Sequence, residues 1–297
     1  MSRRFSSPER QGQKQAAHVM KQLQGDIVQS VGTVRNYEQA LRNVATHLAH
    51  SAENLKDLTI ENANSYLEFR SEQVGQKALD MERQAIQVMM QHVTHKLEQN
   101  ERLPVVKSEI EQVLKSRAYT PEQVQAIAAL QAPQNALATE IAHSSGLRAH
   151  ELITLQRADI QPADPRPALE EKFSQREGVL YTVTGKGGLT REVQIPSHLA
   201  DRLEDRRLDT PQNVTDRNIH YERHYEIGGG RAFSQSFSRA SSNALGYSHG
   251  AHGLRHSYAQ ERMDELYRAG IERHIALEVV SQEMGHFRPD ITEVYLR

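Results

Sequence analysis

The sequence predicts a mainly α-helical protein with one small antiparallel β-sheet, arranged as a helical N-terminal domain and a larger α+β domain. Three observations predict this. Apolar residues recur at three- and four-residue spacing from about Gln13 to Lys96. A polar break containing a proline, Asn100–Pro104, follows that region. Two runs of strand character, Val179–Thr184 and Thr190–Ile195, flank Gly185-Lys186-Gly187-Gly188, which is a hairpin signal.

Residues 1–12 are polar and are expected to fray. Val19, Leu23, Ile27 and Val28 then fall at helical spacing. A turn at Ser30–Gly32, with Thr33 as N-cap, opens a second helix carrying Tyr37, Leu41, Val44 and Leu48. A third helix is expected over Ile60–Gln73 and a fourth over Lys77–Lys96. Together they form a small bundle, residues 13–100. Residues 101–117 are read as a linker, with a helix over Ser108–Ser116. Thr120-Pro121-Glu122-Gln123 is a helix start, with Thr as N-cap, Pro at the first helical position and Gln closing a capping box. Helices continue to about Leu155, the hairpin follows, and from Ser197 onward the pattern is mainly helical with a loop at Gly228-Gly229-Gly230. The second domain is thus 118–297.

The composition excludes several chemistries. The chain has no cysteine, so disulfide frameworks, thiolate zinc sites and a thiol nucleophile are ruled out. No apolar stretch follows the basic Met1-Ser2-Arg3-Arg4-Phe5 start as a secretory signal requires, and no run is long enough to span a membrane. A cytoplasmic protein with no membrane partner is expected. The net charge of −2 gives no general attraction to polyanions, and neither half of the chain is markedly basic.

Three segments concentrate reactive residue types. In Gly146-Leu147-Arg148-Ala149-His150-Glu151-Leu152, Arg148 and Glu151 are spaced as a helical i,i+3 ion pair, and alone they read as an ordinary surface pair. In His252-Gly253-Leu254-Arg255-His256, three basic groups share one helical face. Phosphate binding and a structural helix are both open readings. A metal pair is disfavoured by Arg255 and by the lack of a nearby acidic ligand. In the third segment, Pro289-Asp290 with Glu293 starts a helix that carries Tyr295, nine residues after His286. His220 and His224 form an i,i+4 pair, but Glu222 is misplaced for a zinc-protease motif, so they read as solvated or structural.

Taken in order, Gly-Leu-Arg-x-x-Glu-Leu at Arg148 and Glu151, Gly-Lys-Gly at Lys186, His-x-x-Arg-His at His252, Arg255 and His256, Gly-His at His286, then Tyr295 resemble the motif series of the tyrosine recombinases, the lambda-integrase family. The resemblance extends over the whole chain, by pattern alone in the N-terminal part. It implies a core-binding, SAM-like DNA-binding domain followed by the catalytic domain.

It also implies site-specific recombination, with integration or excision of a mobile element. Tyr295 would attack a DNA phosphate to give a 3′-phosphotyrosine and a free 5′-hydroxyl. Arg148 and Arg255 would clamp the phosphate. Lys186 would act as general acid, His252 as general base or proton relay, and His286 as a hydrogen-bond donor to the phosphate. Glu151 and His256 would support these groups from behind.

The resemblance implies no metal and no cofactor, because the phosphotyrosine conserves the bond energy for religation. Double-stranded DNA is the implied partner, with a homotetramer on DNA, a monomer or weak oligomer when free, and nucleoid association when bound. Relaxation of the type IB topoisomerase kind and a catalytically silent DNA-binding relic are the alternatives.

Two intervals are long for the family: Arg148 to Lys186, with a loop inserted at Ala163–Pro167, and Arg255 to His286, with extra residues in Arg262–Ile275. The sequence ends two residues after Tyr295, where many members continue into a helix that docks on a neighbouring subunit, so that exchange is not expected to take its usual form.

Overall fold

The structure is a computed structural model and describes residues 7–51, 53–111, 115–185 and 187–297. The chain divides into two compact units, Met1–Val113 and Leu114–Arg297.

The first unit is a four-helix bundle: α1 Pro8–Leu23, α2 Val31–Leu48, α3 Ile60–Ser71 and α4 Gln76–His92. Helix α1 starts earlier than the polar composition of residues 1–12 suggested. Ser7 caps it, accepting from the Arg10 N–H at 3.4 Å, and Pro8 takes the first turn, where a missing N–H costs nothing. Ile27 and Val28 lie beyond α1, in a tight turn closed by a Gln24–Val28 bridge. Ser30, not Thr33, is the N-cap residue of α2, so Val31 and Gly32 are helical.

Leu23, Leu41, Val44, Leu67, Ile86 and Met89 are fully buried at the centre of the bundle. Each is worth about 1.5–3 kcal/mol in transfer out of water. One charge is buried with them. Glu82 accepts from Tyr66 Oη and from Arg70 Nε and Nη2, all at 2.9 Å, and from Asn43 Nδ2 at 3.0 Å, which ties α2, α3 and α4 together. Residues 108–111 and 115–116 are not helical, and the remainder of the helix expected over Ser108–Ser116 lies outside the described residues.

The second unit opens with α5 Pro121–Ala129, where the Thr120/Gln123 capping box forms as the sequence predicts, and α6 Pro133–Ser145. Helical structure does not run on to Leu155. Gly146 adopts φ 63° and ends α6, and residues 147–154 continue as tight turns. Strands β1 Gln156–Arg157, β2 Val179–Thr184 and β3 Thr190–Ile195 form one antiparallel sheet in that order, with Tyr181 opposite Val193. The two expected strands gain β1 as a third.

After α7 Ser197–Glu204 comes a second hairpin, β4 Arg207–Asp216 and β5 Ile219–Tyr225. The mainly helical reading of this stretch is corrected here. His220 and His224 lie on strand β5, not on a helix. Helices α8 Gly230–Leu245, α9 Gly253–Arg268, α10 Arg273–Met284 and α11 Pro289–Tyr295 complete the unit.

Its core has two parts. Leu137, Ile141, Tyr181, Val193, Phe233 and Leu254 pack around the sheet. Tyr258, Met263, Leu277, Val280 and Met284 join α9 and α10 beneath Tyr295. The architecture is mainly helical with a small antiparallel sheet, as the sequence predicts, and it carries a second, two-stranded sheet, β4–β5, that the sequence reading did not include. Among the described residues no helix is long and apolar enough to cross a membrane.

Candidate active site

Five chain segments converge in the second unit: the turns after α6, the start of β3, the start of α9, the end of α10, and α11. At their centre is Glu151, whose side chain has no solvent exposure. It accepts from the Arg148 backbone N–H at 2.8 Å, from Arg148 Nη1 at 2.7 Å and from Arg191 Nη2 at 3.0 Å, and Arg255 Nη1 lies 3.8 Å away. Burial alone would raise its pKa. Arg191, Arg255 and Arg148 overcome that and bring it to about 2, so it is ionised at neutral pH.

Arg255 is completely buried. It donates from Nη1 to the Gly146 carbonyl and from Nη2 to the Met284 carbonyl at 3.1 Å. The guanidinium is thereby fixed by the C-terminal ends of α6 and α10, where carbonyls left over from the helices carry partial negative charge. Burial and the nearby Arg148 lower the Arg255 pKa to about 10, still above neutrality. Its Cζ lies 5.5 Å from the Tyr295 ring centroid.

Tyr295, at 8% exposure, stands at the last turn of α11. Its carbonyl is bonded to His256 Nδ1 at 3.2 Å and accepts from Gln260 Nε2 at 3.1 Å, both on α9. A carbonyl can only accept, so His256 carries its proton on Nδ1 in that bond. Helix α11 is held to α10 by Thr292 Oγ1 donating to the Leu277 carbonyl at 3.2 Å, and by the Arg273–Glu293 pair at 2.6 Å.

The Tyr295 ring is surrounded by imidazoles of its own chain. Centroid distances are 4.9 Å to His256, 5.6 Å to His252 and 5.9 Å to His286, the last nearly parallel at 3°. His252 reaches solvent at one edge while most of its ring is packed into the site, and His256 is buried. His252, His256 and His286 all have pKa values lowered to about 4, first by burial and then by the surrounding cations, among which Arg255 acts on all three. All three are therefore neutral near pH 7. His252, as the N-cap residue of α9, also sits at the positive end of a helix dipole, which disfavours imidazolium.

His286 follows Gly285, which closes α10 with φ 74°. A Cβ at Gly285 would collide with the Arg191 side chain, so glycine lets β3 and the His286 turn meet. The His286 N–H bonds to the Ser281 carbonyl at 3.2 Å. Both ring nitrogens of His286, Nε of Arg255 and Nε of Arg191 are buried without a hydrogen-bond partner.

Of the residues singled out in the sequence, Arg148, Glu151, His252, Arg255, His256, His286 and Tyr295 come together. Lys186 lies outside the described residues. Its hairpin returns through Gly187 and Gly188, at φ 93° and 86°, and a Cβ at Gly185 would lie 3.4 Å from Glu151 Oε1, so the base of the hairpin runs beside the carboxylate. Arg191 is the residue that sequence reasoning missed. Its signal was strand alternation: Arg191, Val193 and Ile195 share one face of β3, and all three are buried. Among the described residues, no three or more His, Asp or Glu are grouped to hold a metal ion.

No protein-family model matches the chain. No curated protein matches it by sequence. Solved structures do match by fold. The chain is 13% identical to the XerH site-specific recombinase bound to a palindromic difH substrate in a post-cleavage complex, over 99% of this chain and 94% of that one, with a TM-score of 0.58. It is 15% identical to lambda integrase in a tetramer bound to a Holliday junction, over 95% of this chain and 76% of that one, with a TM-score of 0.60. It is 12% identical to the Tn1549 transposon integrase in complex with circular intermediate DNA, over 95% of both chains, with a TM-score of 0.55. The chain has the fold of these site-specific recombinases and integrases, as its motif series implied.

Proposed function

We propose that this chain is a tyrosine site-specific recombinase of the integrase type, with residues 13–100 as its core-binding domain and 118–297 as its catalytic domain. The observation that carries this reading is a group of buried, unpartnered nitrogens at the site: Nε of Arg255 and both ring nitrogens of His286 beside the Tyr295 ring, and Nε of Arg191 beside Glu151. Each such group costs about 1–3 kcal/mol when buried unmet. The non-bridging oxygens of a phosphodiester are acceptors of the right kind for the N–H groups, and the charge of the site is positive where they would sit.

In this reading the Tyr295 hydroxyl oxygen attacks the scissile phosphorus, and its proton passes to neutral His252. The P–O5′ bond breaks, and Lys186 protonates the departing 5′-oxygen. Arg148 and Arg255 stabilise the charge on the phosphoryl oxygens, helped by His286, while Glu151 and His256 hold the guanidinium groups and the tyrosine backbone in place. A 5′-hydroxyl from a partner strand reverses the step, so no metal or nucleotide cofactor enters. The substrate is double-stranded DNA. Exchange between two duplexes requires four active sites, hence a homotetramer assembled on DNA from monomers or weak oligomers. Integration or excision of a mobile element is the outcome.

A plasmid carrying two copies of the DNA flanking the gene separates this from its alternatives. Deletion or inversion between the copies is expected. Relaxation of supercoils without exchange would replace recombination by topoisomerase-like activity. Binding without any cleavage would identify a silent DNA-binding protein.

A further inference from the structure

Adjoining the site described above, and sharing Arg148 and His252 with it, lies a cavity of about 270 Å³ whose lining also includes His150, Asp216, Arg217 and Ser234. Arg217 reaches it from the tip of the β4–β5 hairpin. Asp216 pairs with Ile219, so Arg217 and Asn218 form a two-residue turn, with φ 52° and 65° at the two positions. The tip is fixed in place. Asp216 Oδ1 accepts from the Arg231 N–H at the start of α8 at 2.8 Å, and the Gly230 N–H donates to the Ala149 carbonyl at 2.6 Å. Gly230 has φ 61°, and a Cβ there would come within 2.6 Å of the Asp216 carboxylate carbon, so glycine is what lets the hairpin tip dock on α8.

Asp216, the one acid among the described residues lining the cavity, is partly engaged by this arrangement. One Asp216 oxygen serves the α8 N-terminus, and the carboxylate's approach to Arg217 Nε is a loose 3.9 Å. The Arg217 side chain, 53% exposed, keeps its guanidinium donors for solvent or a ligand. His150 contributes a ring whose Nε2 is buried without a partner. Arg148 gives only Nη1 to Glu151 through its guanidinium, which leaves its other donors toward the cavity it lines.

We propose that this cavity is a second phosphate subsite, which takes a DNA backbone phosphodiester neighbouring the one that is cut, with Arg217 as its principal donor. The inference rests on the recombinase reading, because it needs duplex DNA seated across Arg148. It adds to that reading a role for the β4–β5 hairpin: a rigid arm that brings a cation to the strand beside the scissile phosphate. Arg148 and His252 border both sites, so a phosphate in the cavity fixes the register of the strand relative to Tyr295.

The test is the salt dependence of binding by the full chain to a mixed-sequence 40-base-pair duplex, followed by fluorescence anisotropy. Each phosphate contact contributes about 0.9 to the slope of log K against log salt. Arg217→Asn removes the charge and keeps a residue that tolerates a left-handed turn. It is expected to lower the slope by about 0.9, while Arg217→Lys retains it. Arg207→Ala, which removes the same charge at the base of the hairpin, is the control and should leave the slope unchanged. An unchanged slope in Arg217→Asn, or an equal drop in Arg207→Ala, overturns the subsite. Those results leave the recombinase reading intact, provided the wild type binds the duplex. A wild type that does not bind duplex DNA refutes both.

Discussion

Replacing Glu151 with glutamine removes one negative charge from beneath three guanidinium groups and keeps the side-chain shape. The wild-type carboxyl has its pKa lowered from 4.5 to about 2. At about 1.4 kcal/mol per pH unit, that shift corresponds to about 3 kcal/mol of stability at neutral pH. Breaking a buried ion pair by removing one partner costs about 3–5 kcal/mol, in the same range.

The sign follows from linkage. A carboxyl with a lowered folded-state pKa stabilises the fold above its unfolded pKa, and that contribution fades as pH falls from about 4.5 towards 2. Glu151→Gln is therefore expected to be about 3 kcal/mol less stable than wild type in urea titrations at pH 7, with the gap beginning to narrow by pH 4. A difference under about 1 kcal/mol at pH 7 would refute the reasoning. So would a gap that stays constant as the carboxyl protonates, since the loss would then come from altered packing and not from charge.

The other expectations concern the chemistry and its protonation states. Arg148→Ala or Arg255→Ala should abolish strand cleavage while duplex affinity falls by less than about tenfold, because binding is spread over many phosphates. Equal loss of binding and cleavage in a mobility-shift and cleavage assay would contradict the clamp. Lys186→Ala should regain cleavage on a substrate with a 5′-thio leaving group, which needs no proton, and failure of that rescue would remove Lys186 as the acid. His252, His256 and His286 are held at about 4 in the fold against an ordinary 6.5. Their neutral forms therefore stabilise the fold above pH 6.5, and stability should drop as pH falls from about 6.5 to 4. A histidine-ring NMR titration giving values near 6.5 for all three would contradict this.

Much of the site could be read from sequence because its residues sit at helix boundaries, which short motifs mark. Gly146 ends α6 just before Arg148, Gly285 ends α10 just before His286, and Pro289 starts the helix that ends at Tyr295. The strands β2 and β3 were legible because their β-branched residues surround a glycine turn.

Three features were not legible, each for a physical reason. The β4–β5 hairpin is largely exposed along β4, so it lacks the apolar alternation that reveals a half-buried strand, and only Asn218 hints at its turn. The turns from Leu147 to Thr154 looked helical because Leu147, Leu152 and Leu155 are buried by tertiary packing, not by one helical face. Arg191 was not singled out: strand alternation places it on the buried face of β3, but the partners that make it part of the site, Glu151 and the Glu283 carbonyl, are far away in sequence.

The most direct measurement of the central claim is covalent trapping on a nicked suicide duplex drawn from the DNA that flanks the gene, followed by peptide mass spectrometry. A 3′-phosphotyrosine adduct on the peptide containing Tyr295 is expected from wild type, and no adduct from Tyr295→Phe. An adduct on another residue, or an undiminished adduct in Tyr295→Phe, would contradict it.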